Sequence, residues 1–456
     1  MTGLSRVLIA NRGEIAVRII RACEVLGLES VIAVSDIDRE SLGARLATRA
    51  VCIGPAPSTE SYLRAELLIA AALATGCDAV HPGYGFLAEN PRFAESCAQS
   101  GLRFIGPEAK TLAQAGDKLA ARQAAVEAGL PVLPGSAGIG SLDHARVLAG
   151  AVGYPVMVKA AAGGGGRGMF VARNPDELGA RFEPAAAEAQ AAFGEGTLYL
   201  ERYVPNGRHI EVQILADGAG GVVHLGERDC SVQRRYQKLV EEAPAPDLAE
   251  GKRRALCDAA VRFARHLGYE NAGTVEFLYD IDRDEFYFME MNARVQVEHP
   301  VSEMITGVDI VCEQLHIAGG RRLGLGQDDI RSHGHAIECR INAESPDDNF
   351  APRPGRIVRW LPPDGEGIRL DSHAGEGCLV PPHYDSLIAK LIVHGKDRRQ
   401  ALDRLKDALD RFVLEGIETT LPFHRFLVAH GDFERGGVNL RWLEGVLLPA
   451  YAGRGG

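Results

Sequence analysis

The stretch EMNARVQVEH, residues 290 to 299, places Glu290, Asn292, Arg294, Gln296 and Glu298 at every second position, with Met291, Ala293, Val295 and Val297 between them. Alternate side chains of a β-strand share a face. The stretch therefore reads as a strand aiming five polar groups, three of them ionisable, to one side. A surface strand of a two-layer domain alternates in the same way. Such a strand usually mixes in Lys, Ser and Thr, whereas Glu, Asn, Arg and Gln together are the repertoire of a metal and anion site.

A second stretch, GTVEFLYD, carries Glu276, with Val275 and Phe277 on the opposite side of the strand. If the two strands are antiparallel neighbours, Glu276 and Glu290 approach each other. Unpaired, they would repel and one would protonate. Magnesium resolves this, because it takes hard oxygen ligands and shares its sphere with substrate phosphates. Asn292 adds a neutral oxygen, and Arg294, Gln296 and Glu298 continue past the metal toward the acceptor of the phosphate. In HAIECRINAES, Glu338, Arg340 and Asn342 share one face and Ile337, Cys339 and Ile341 the other. Arg340 is expected at the same cleft, although a surface strand reads alike.

GERDCSVQRRYQKLVEEAP gathers Glu227, Arg228, Asp229, Gln233, Arg234, Arg235, Lys238, Glu241 and Glu242. It reads as a charged loop, either solvated or holding a small anion on its cations. Gly163 to Gly166, with Gly168, lie between two strand-like runs and lack the Gly-Lys-Ser/Thr of a Walker A loop. A glycine hairpin tip exposes N–H groups and suits a lid over phosphates, or else is a plain surface turn. Lys159, inside the apolar run VMVKA, needs an anionic partner. Glu201, in LERYV, ends a strand followed by chain that can pass an adenine.

The elements that must position these groups are legible in outline. RVLIA, the helix EIAVRIIRACEVLG closed by Gly27, SVIAVS, ELLIAAALATG and DAVHPG alternate strand with helix, which predicts a doubly wound parallel sheet over residues 1–116. Its first turn, NRGEIA, lacks the G-x-G-x-x-G that admits a dinucleotide pyrophosphate. A central domain follows over 117–334, with the lid over about 133–204 and the amphipathic helix KRRALCDAAVRFARHLG. After the linker GGRRLGLGQDD, a third domain over 335–446 combines short strands with the helix RRQALDRLKDALDRFVLEG. The fold class is thus α/β with α+β.

Composition excludes several classes. A net charge of −11 across 456 residues argues against a nucleic-acid partner. No apolar run nears the roughly 18 residues that span a bilayer, so no membrane partner is expected. The N-terminus reads as neither signal nor transit peptide. Nine cysteines without a C-x-x-C pair fit a reducing, cytoplasmic setting.

ANRGEIAVRIIRA, HPGYGFLAEN, GGGGRGM, ERDCSVQRR, VEEAPAP, EMNARVQVEHPVSEMITG and CRINAE together resemble the biotin carboxylase component of biotin-dependent carboxylases, an ATP-grasp family. The likeness spans nearly the whole chain. It implies a Rossmann-like N-terminal domain, a central ATP-grasp domain with a mobile lid, and a biotin carboxylase C-terminal domain. It implies that Lys118 and Lys159 bind the phosphates of ATP and that Gly165 and Gly166 cover them. Glu201, Arg202, Tyr203 and Val204 would pass the adenine, with His209, Gln233 and Tyr236 near the ribose. Glu276, Glu290 and Asn292 would hold Mg²⁺ or Mn²⁺. Lys238, Arg294, Gln296, Val297 and Glu298 would surround bicarbonate, and Tyr84, Gly85 and Arg340 would meet biotin.

On that resemblance Glu298 is the base, Arg340 stabilises the enolate-like biotin oxygen, and carboxyphosphate is the intermediate. Two positions depart from the pattern. Ala161 and Ala162 stand where many relatives carry Ser-Gly, which stiffens the lid hinge, and Tyr236 stands where His is frequent. No AMKM-like biotinylation motif occurs. Biotin is therefore expected on a separate biotin carboxyl carrier protein, with a separate carboxyltransferase passing the carboxyl group to acetyl-CoA or another acyl-CoA, and with the chain as a homodimer. Alternatives are the biotin carboxylase subunit of a two-subunit pyruvate carboxylase, another ATP-grasp carboxylate–amine ligase, or a non-catalytic nucleotide-binding regulator.

Overall fold

The computed structural model describes residues 3–161 and 168–455. Gly165 and Gly166 lie outside the described residues.

Five parallel strands open the chain: β1 (Arg6–Ile9), β2 (Glu29–Ser35), β3 (Arg49–Gly54), β4 (Ala79–His81) and β5 (Arg103–Phe104), ordered β3-β2-β1-β4-β5. Val7, Leu8 and Ile9 are fully buried in succession, as a sheet covered on both faces requires. The helix Gly13–Val25 sets Ile15, Ile19 and Ala22 against one face, and Leu68, Ala72 and Phe93 pack on the other. The turn after β1 makes no nucleotide cradle. Instead the Asn11 side-chain amide donates to the carbonyls of Pro82 and Tyr84, each at 2.7 Å, and so fixes the HPGYG loop. Gly83 is required there: its φ is +62°, and a Cβ would fall 2.9 Å from the Asn11 nitrogen.

A small antiparallel sheet, β6 (Val156–Ala160), β7 (Phe170–Ala172) and β8 (Leu198–Arg202), has the order β7-β6-β8. Val156, Val158 and Ala160 face a core shared with Leu178, Phe182 and Ala189 of the helix Pro175–Phe193. The alternation turns Lys159 outward from that core, toward the cleft.

Most of the remaining strands form one antiparallel sheet. It contains β9 (Gly207–Asp217), β10 (Val222–Arg234), β11 (Gln237–Ala243), β12 (Glu270–Asp280), β13 (Glu285–Asn292) and β14 (His335–Asn342), then the strands Leu387–Gly395 and Ile368–Ser372. The order is β13-β12-β9-β10-β11-β14, continued by those two. The β11–β14 pairing carries the sheet straight through the chain boundary expected near residue 334. Ile210, Val212, Val275 and Phe277 turn to one face, where Leu256, Ala260 and Phe263 of the helix Glu250–His266 cover them. Ile337, Cys339 and Ile341 enter a separate core with Leu405, Leu409 and Phe423. The residues between these apolar ones point to the opposite side, and that side carries the chemistry.

Two sequence expectations need correction. The charged stretch 226–244 is a hairpin rather than a loop: β10 and β11 meet at Arg235-Tyr236, whose φ values are 47° and 67°. Positive φ at both central residues suits the twist of a two-residue hairpin. Glu227, Arg228, Asp229 and Arg234 are all buried, since Arg253 of the helix Glu250–His266, Glu211 and Arg208 of β9, and Asn349 give these charges opposite-charge or carbonyl partners. The stretch 290–298 is strand only as far as Asn292. Residues 293–298 are irregular and lead into the helix His299–Thr306, which has Pro300 in its first turn. Proline is pre-shaped for a helix start, and this ends the extended run that alternation alone would continue.

Candidate active site

A cleft of about 740 Å³ lies between the N-terminal sheet, the small sheet and the polar face of the large sheet, within the range of small-molecule sites. Tyr84, Gly85, Lys118, Lys159, His209, Gln233, Tyr236, Lys238, Glu276, Glu290, Asn292, Arg294, Gln296, Val297 and Arg340 line it. Glu298, which has no exposed surface, sits directly beneath.

At one end, Glu276 and Glu290 are register partners across β12 and β13. Asn292 donates to Glu276 Oε1 at 2.7 Å, and His209 Nε2 lies 3.2 Å from Glu276 Oε2. Burial opposes ionisation of Glu276, but Lys238 and His209 outweigh it and hold the carboxyl below its usual range. Burial is also the largest effect on His209 and would lower it, yet Glu276 drives it up to about 9. Glu290 is raised by burial and then by the charge of Glu276, and its carboxylate has no hydrogen-bond partner among the described residues. A partly covered carboxylate with no donor, facing a second carboxylate, fits a hard divalent cation. Glu276, Glu290 and Asn292 are the oxygens that would hold it.

At the centre, Lys238 Nζ touches three carboxylates: Glu211 Oε2 at 2.6 Å, Glu298 Oε1 at 2.6 Å and Glu276 Oε1 at 3.1 Å. Burial opposes its charge, but the three anions carry it well above the usual lysine range. The other oxygen of Glu298 accepts from Arg340 Nη2 at 2.9 Å. Burial would raise Glu298, while Lys238 and Arg340 keep it low and ionised. Between these two cations the carboxylate is ionised and so able to accept a proton, while the same cations weaken it as a base.

Arg294 runs along the rim. It bonds Glu89 Oε2 at 2.8 Å, Gln296 Oε1 at 2.9 Å and Asn292 Oδ1 at 3.1 Å. Lys159 finds its anion in Glu201, at 2.7 Å, and Arg122 shares that carboxylate at 3.2 Å. Lys118 opens the helix Lys118–Glu127 behind the N-cap Asp117. Burial lowers it, with Glu290 opposing. Tyr84 donates its hydroxyl to Glu14, and the Val297 carbonyl accepts from Lys390 Nζ at 2.8 Å. Gln233 meets the His209 ring at 3.0 Å, while Tyr236, at the hairpin tip, is 58% exposed.

Glu201 stands one side chain behind the cleft lining, against Lys159, and Arg202, Tyr203 and Val204 follow it along the chain. Glu201 is spent on Lys159 and Arg122, Arg202 reaches the Tyr287 hydroxyl at 2.5 Å, and Val204 packs with Leu133 and Tyr287.

Sequence reading missed Glu211 and Glu89, and gave Arg228 only as one charge among several in its stretch. Glu211, between His209 and Gln213 in the strand HIEVQILAD, anchors Lys238 and also accepts from Arg228 at 2.6 Å. Its alternation with His209 and Gln213 was the available signal. Arg228, fully buried, reaches Glu211, Gln213, Ser302 and Thr274. Glu89, in the HPGYG loop segment, holds Arg294, and nothing local marked it.

Three family models match the chain: "Biotin carboxylase, N-terminal domain" over 3–112, "Carbamoyl-phosphate synthase L chain, ATP binding domain" over 117–325, and "Biotin carboxylase C-terminal domain" over 338–445. The chain is 51% identical over 442 residues to biotin carboxylase 1 of Bacillus subtilis, covering 97% of this chain and 98% of that one. It is 48% identical to one subunit of the pyruvate carboxylase of Methanothermobacter thermautotrophicus, covering 96% and 89%. Among solved structures, the biotin carboxylase domain dimer of Hydrogenobacter thermophilus 2-oxoglutarate carboxylase, in complex with MgADP, ADP and bicarbonate, superposes with a TM-score of 0.94. Its identity is 47%, with 97% of this chain and 98% of that one covered.

Proposed function

The chain belongs to the biotin carboxylase family of ATP-grasp ligases and carboxylates biotin in an ATP-dependent reaction with bicarbonate; we propose that its cleft does so with Glu298 as base and Arg340 as the cation on the biotin side. The observation that carries this reading is the burial of Glu298 between Lys238 and Arg340, beside the Glu276–Glu290 register pair.

Bicarbonate is a weak nucleophile until it loses its proton, and Glu298 is the anion placed to take it. Lys238 and Arg294 offer cations to the bicarbonate oxygens. Attack on the γ-phosphorus of ATP breaks its bond to the β-phosphate oxygen, releasing ADP and forming carboxyphosphate. Lys118 and Lys159 draw off the charge that develops on the phosphates. A divalent cation held by Glu276, Glu290 and Asn292 would neutralise phosphate charge there. Carboxyphosphate then parts into CO₂ and phosphate, the phosphate takes the ureido proton of biotin, and the biotin nitrogen attacks CO₂. Arg340 stabilises the enolate-like oxygen meanwhile. The roles of Tyr84, Gly85, Gln296 and Val297 at biotin and bicarbonate, and of the 201–204 segment at adenine, rest on the resemblance.

Biotin would arrive on a separate carrier protein, with a carboxyltransferase passing the carboxyl group to acetyl-CoA or another acyl-CoA, and the chain as a cytoplasmic homodimer. The nine cysteines are free, and among the described residues no helix is long and apolar enough to cross a membrane. Likeness to one component of a pyruvate carboxylase supports pyruvate as the second acceptor to test. One assay decides the central reading: ATP hydrolysis that requires bicarbonate and rises with free biotin. Hydrolysis indifferent to both would point to another ligase, and none at all to a regulator. Identifying what copurifies with the native chain would narrow both the partner subunits and the acceptor.

A further inference from the structure

Three carboxyl groups crowd one guanidinium at the biotin end of the cleft. Arg340 lies 2.9 Å from Glu298 Oε2 and donates from Nε to Glu241 Oε1 at 2.6 Å. Glu338 sits two residues before Arg340 on the same face of β14, directly opposite Glu241 in the β11–β14 register. Residues so opposed carry Cβ atoms about 4.5–5.5 Å apart. Ala243, Ala336, Val301, Ile305 and Ile392 close this region with an apolar cover. Glu241 and Glu338 are both 0% exposed. Glu241 Oε2 and both oxygens of Glu338 have no hydrogen-bond partner among the described residues.

Buried polar atoms are rarely left so, and two ionised carboxylates side by side in a dry site repel. The groups facing them are Arg340 on β14, Glu298 before the helix His299–Thr306, Lys238 and Cys230 on the hairpin, Lys390 on the neighbouring strand, and His299 and Glu303 on the helix. None supplies the missing donor. Arg340 is committed to Glu241 and Glu298, and Lys238 to its own three carboxylates. Lys390 gives its ammonium to the Val297 carbonyl and lies 3.2 Å from Glu14 and 3.8 Å from Asp371. Burial, then Lys390, keeps His299 neutral.

We propose that Glu241 and Glu338 share one proton, and that this acid pair is the positioning device that holds Arg340 toward biotin. Glu338, as the neutral partner, donates to Glu241 Oε2. Glu241 stays anionic, with Oε1 aimed at Arg340. Burial pushes Glu338 well above the carboxylate range, with Glu241 adding to it against Lys390. Burial also lifts Glu241 to about 7 against Arg340. The positioning role rests on the biotin reading; the shared proton does not.

Infrared spectroscopy of the wild-type protein tests the proton without any variant. The carbonyl stretch of an un-ionised buried carboxyl is expected at neutral pH, fading as pH rises, and absent from Glu338→Gln. Because the folded form keeps a proton that the unfolded form has lost, stability falls as pH rises above about 4.5 toward the raised folded value. The thermal midpoint should therefore drop less between about pH 6 and pH 8 in Glu338→Gln than in wild type.

Kinetics test the positioning. Glu338→Gln keeps a neutral donor, so its biotin-dependent kcat/KM should stay within about threefold of wild type. Glu241→Gln weakens a charge-assisted bond, and biotin-dependent kcat/KM should fall about 10- to 100-fold. Bicarbonate-dependent hydrolysis without biotin should stay within about threefold. Absence of the infrared band, or a Glu338→Gln loss as deep as that of Glu241→Gln, overturns the proposal. A wild-type protein without bicarbonate-dependent hydrolysis overturns the biotin reading instead, leaving the band and the pH slope to decide the proton.

Discussion

Replacing Glu298 by glutamine removes the proposed proton acceptor while keeping the side-chain shape. The carboxylate accepts from Lys238 at 2.6 Å and from Arg340 at 2.9 Å. An amide offers one oxygen, so one of these cations then faces an NH₂ group. Losing one charge-assisted bond costs about 1.5–3 kcal/mol locally, which the large sheet around it absorbs without unfolding. Losing a general base costs about 10²- to 10⁴-fold in turnover, or about 2.7–5.4 kcal/mol of barrier. Lys118 and Lys159, the cations proposed to hold the ATP phosphates, make no contact with Glu298, so the Kd for ATP should move by less than about threefold. Bicarbonate-dependent ATP turnover and equilibrium ATP binding are measured side by side, with Glu298→Asp as the charge-retaining control and thermal unfolding of each variant. Turnover within about tenfold of wild type, or ATP affinity falling in parallel with turnover, would refute the assignment.

Arg340→Ala should cut biotin carboxylation far more than biotin-independent ATP hydrolysis, and undiminished carboxylation removes Arg340 from the site. Glu290→Gln should raise the free magnesium needed for half-maximal activity at least about tenfold, since outer-shell changes alone cost 10- to 100-fold. The same change relieves repulsion with Glu276, so the metal-free protein should melt higher; a lower melting point with unchanged magnesium demand would sink the metal assignment. Glu242, bonded to His335 and Arg398, is held down to about 2 by those partners against burial. Its contribution is present above about pH 4.5 and is lost as pH falls toward 2. Glu242→Gln should therefore be less stable at neutral pH by up to about 3 kcal/mol. Its stability should also vary less with pH across that acid window, as read by denaturant titration at several pH values.

The sequence by itself determined the local periodicities and the donor types. Alternation in GTVEFLYD put Glu276 opposite Val275 and Phe277, and the two apolar residues are core while Glu276 lines the cleft. Buried runs separated by helical stripes specified the parallel N-terminal sheet, because strands covered on both faces must be apolar throughout. Tertiary structure decided everything that depends on which strands are neighbours. The hairpin at Arg235-Tyr236 reads as a charged loop, solvated or anion-holding, because no local pattern reveals that Arg228 will find Glu211 and that Asp229 will find Arg208. Glu89 reaches Arg294 across 205 positions of chain, a distance that no window of sequence spans. Charge is tolerated inside this fold only where a partner from another strand cancels it. Composition can therefore name the ionisable groups, but pairing across the sheet decides which of them are solvated, which are silenced and which are left to act.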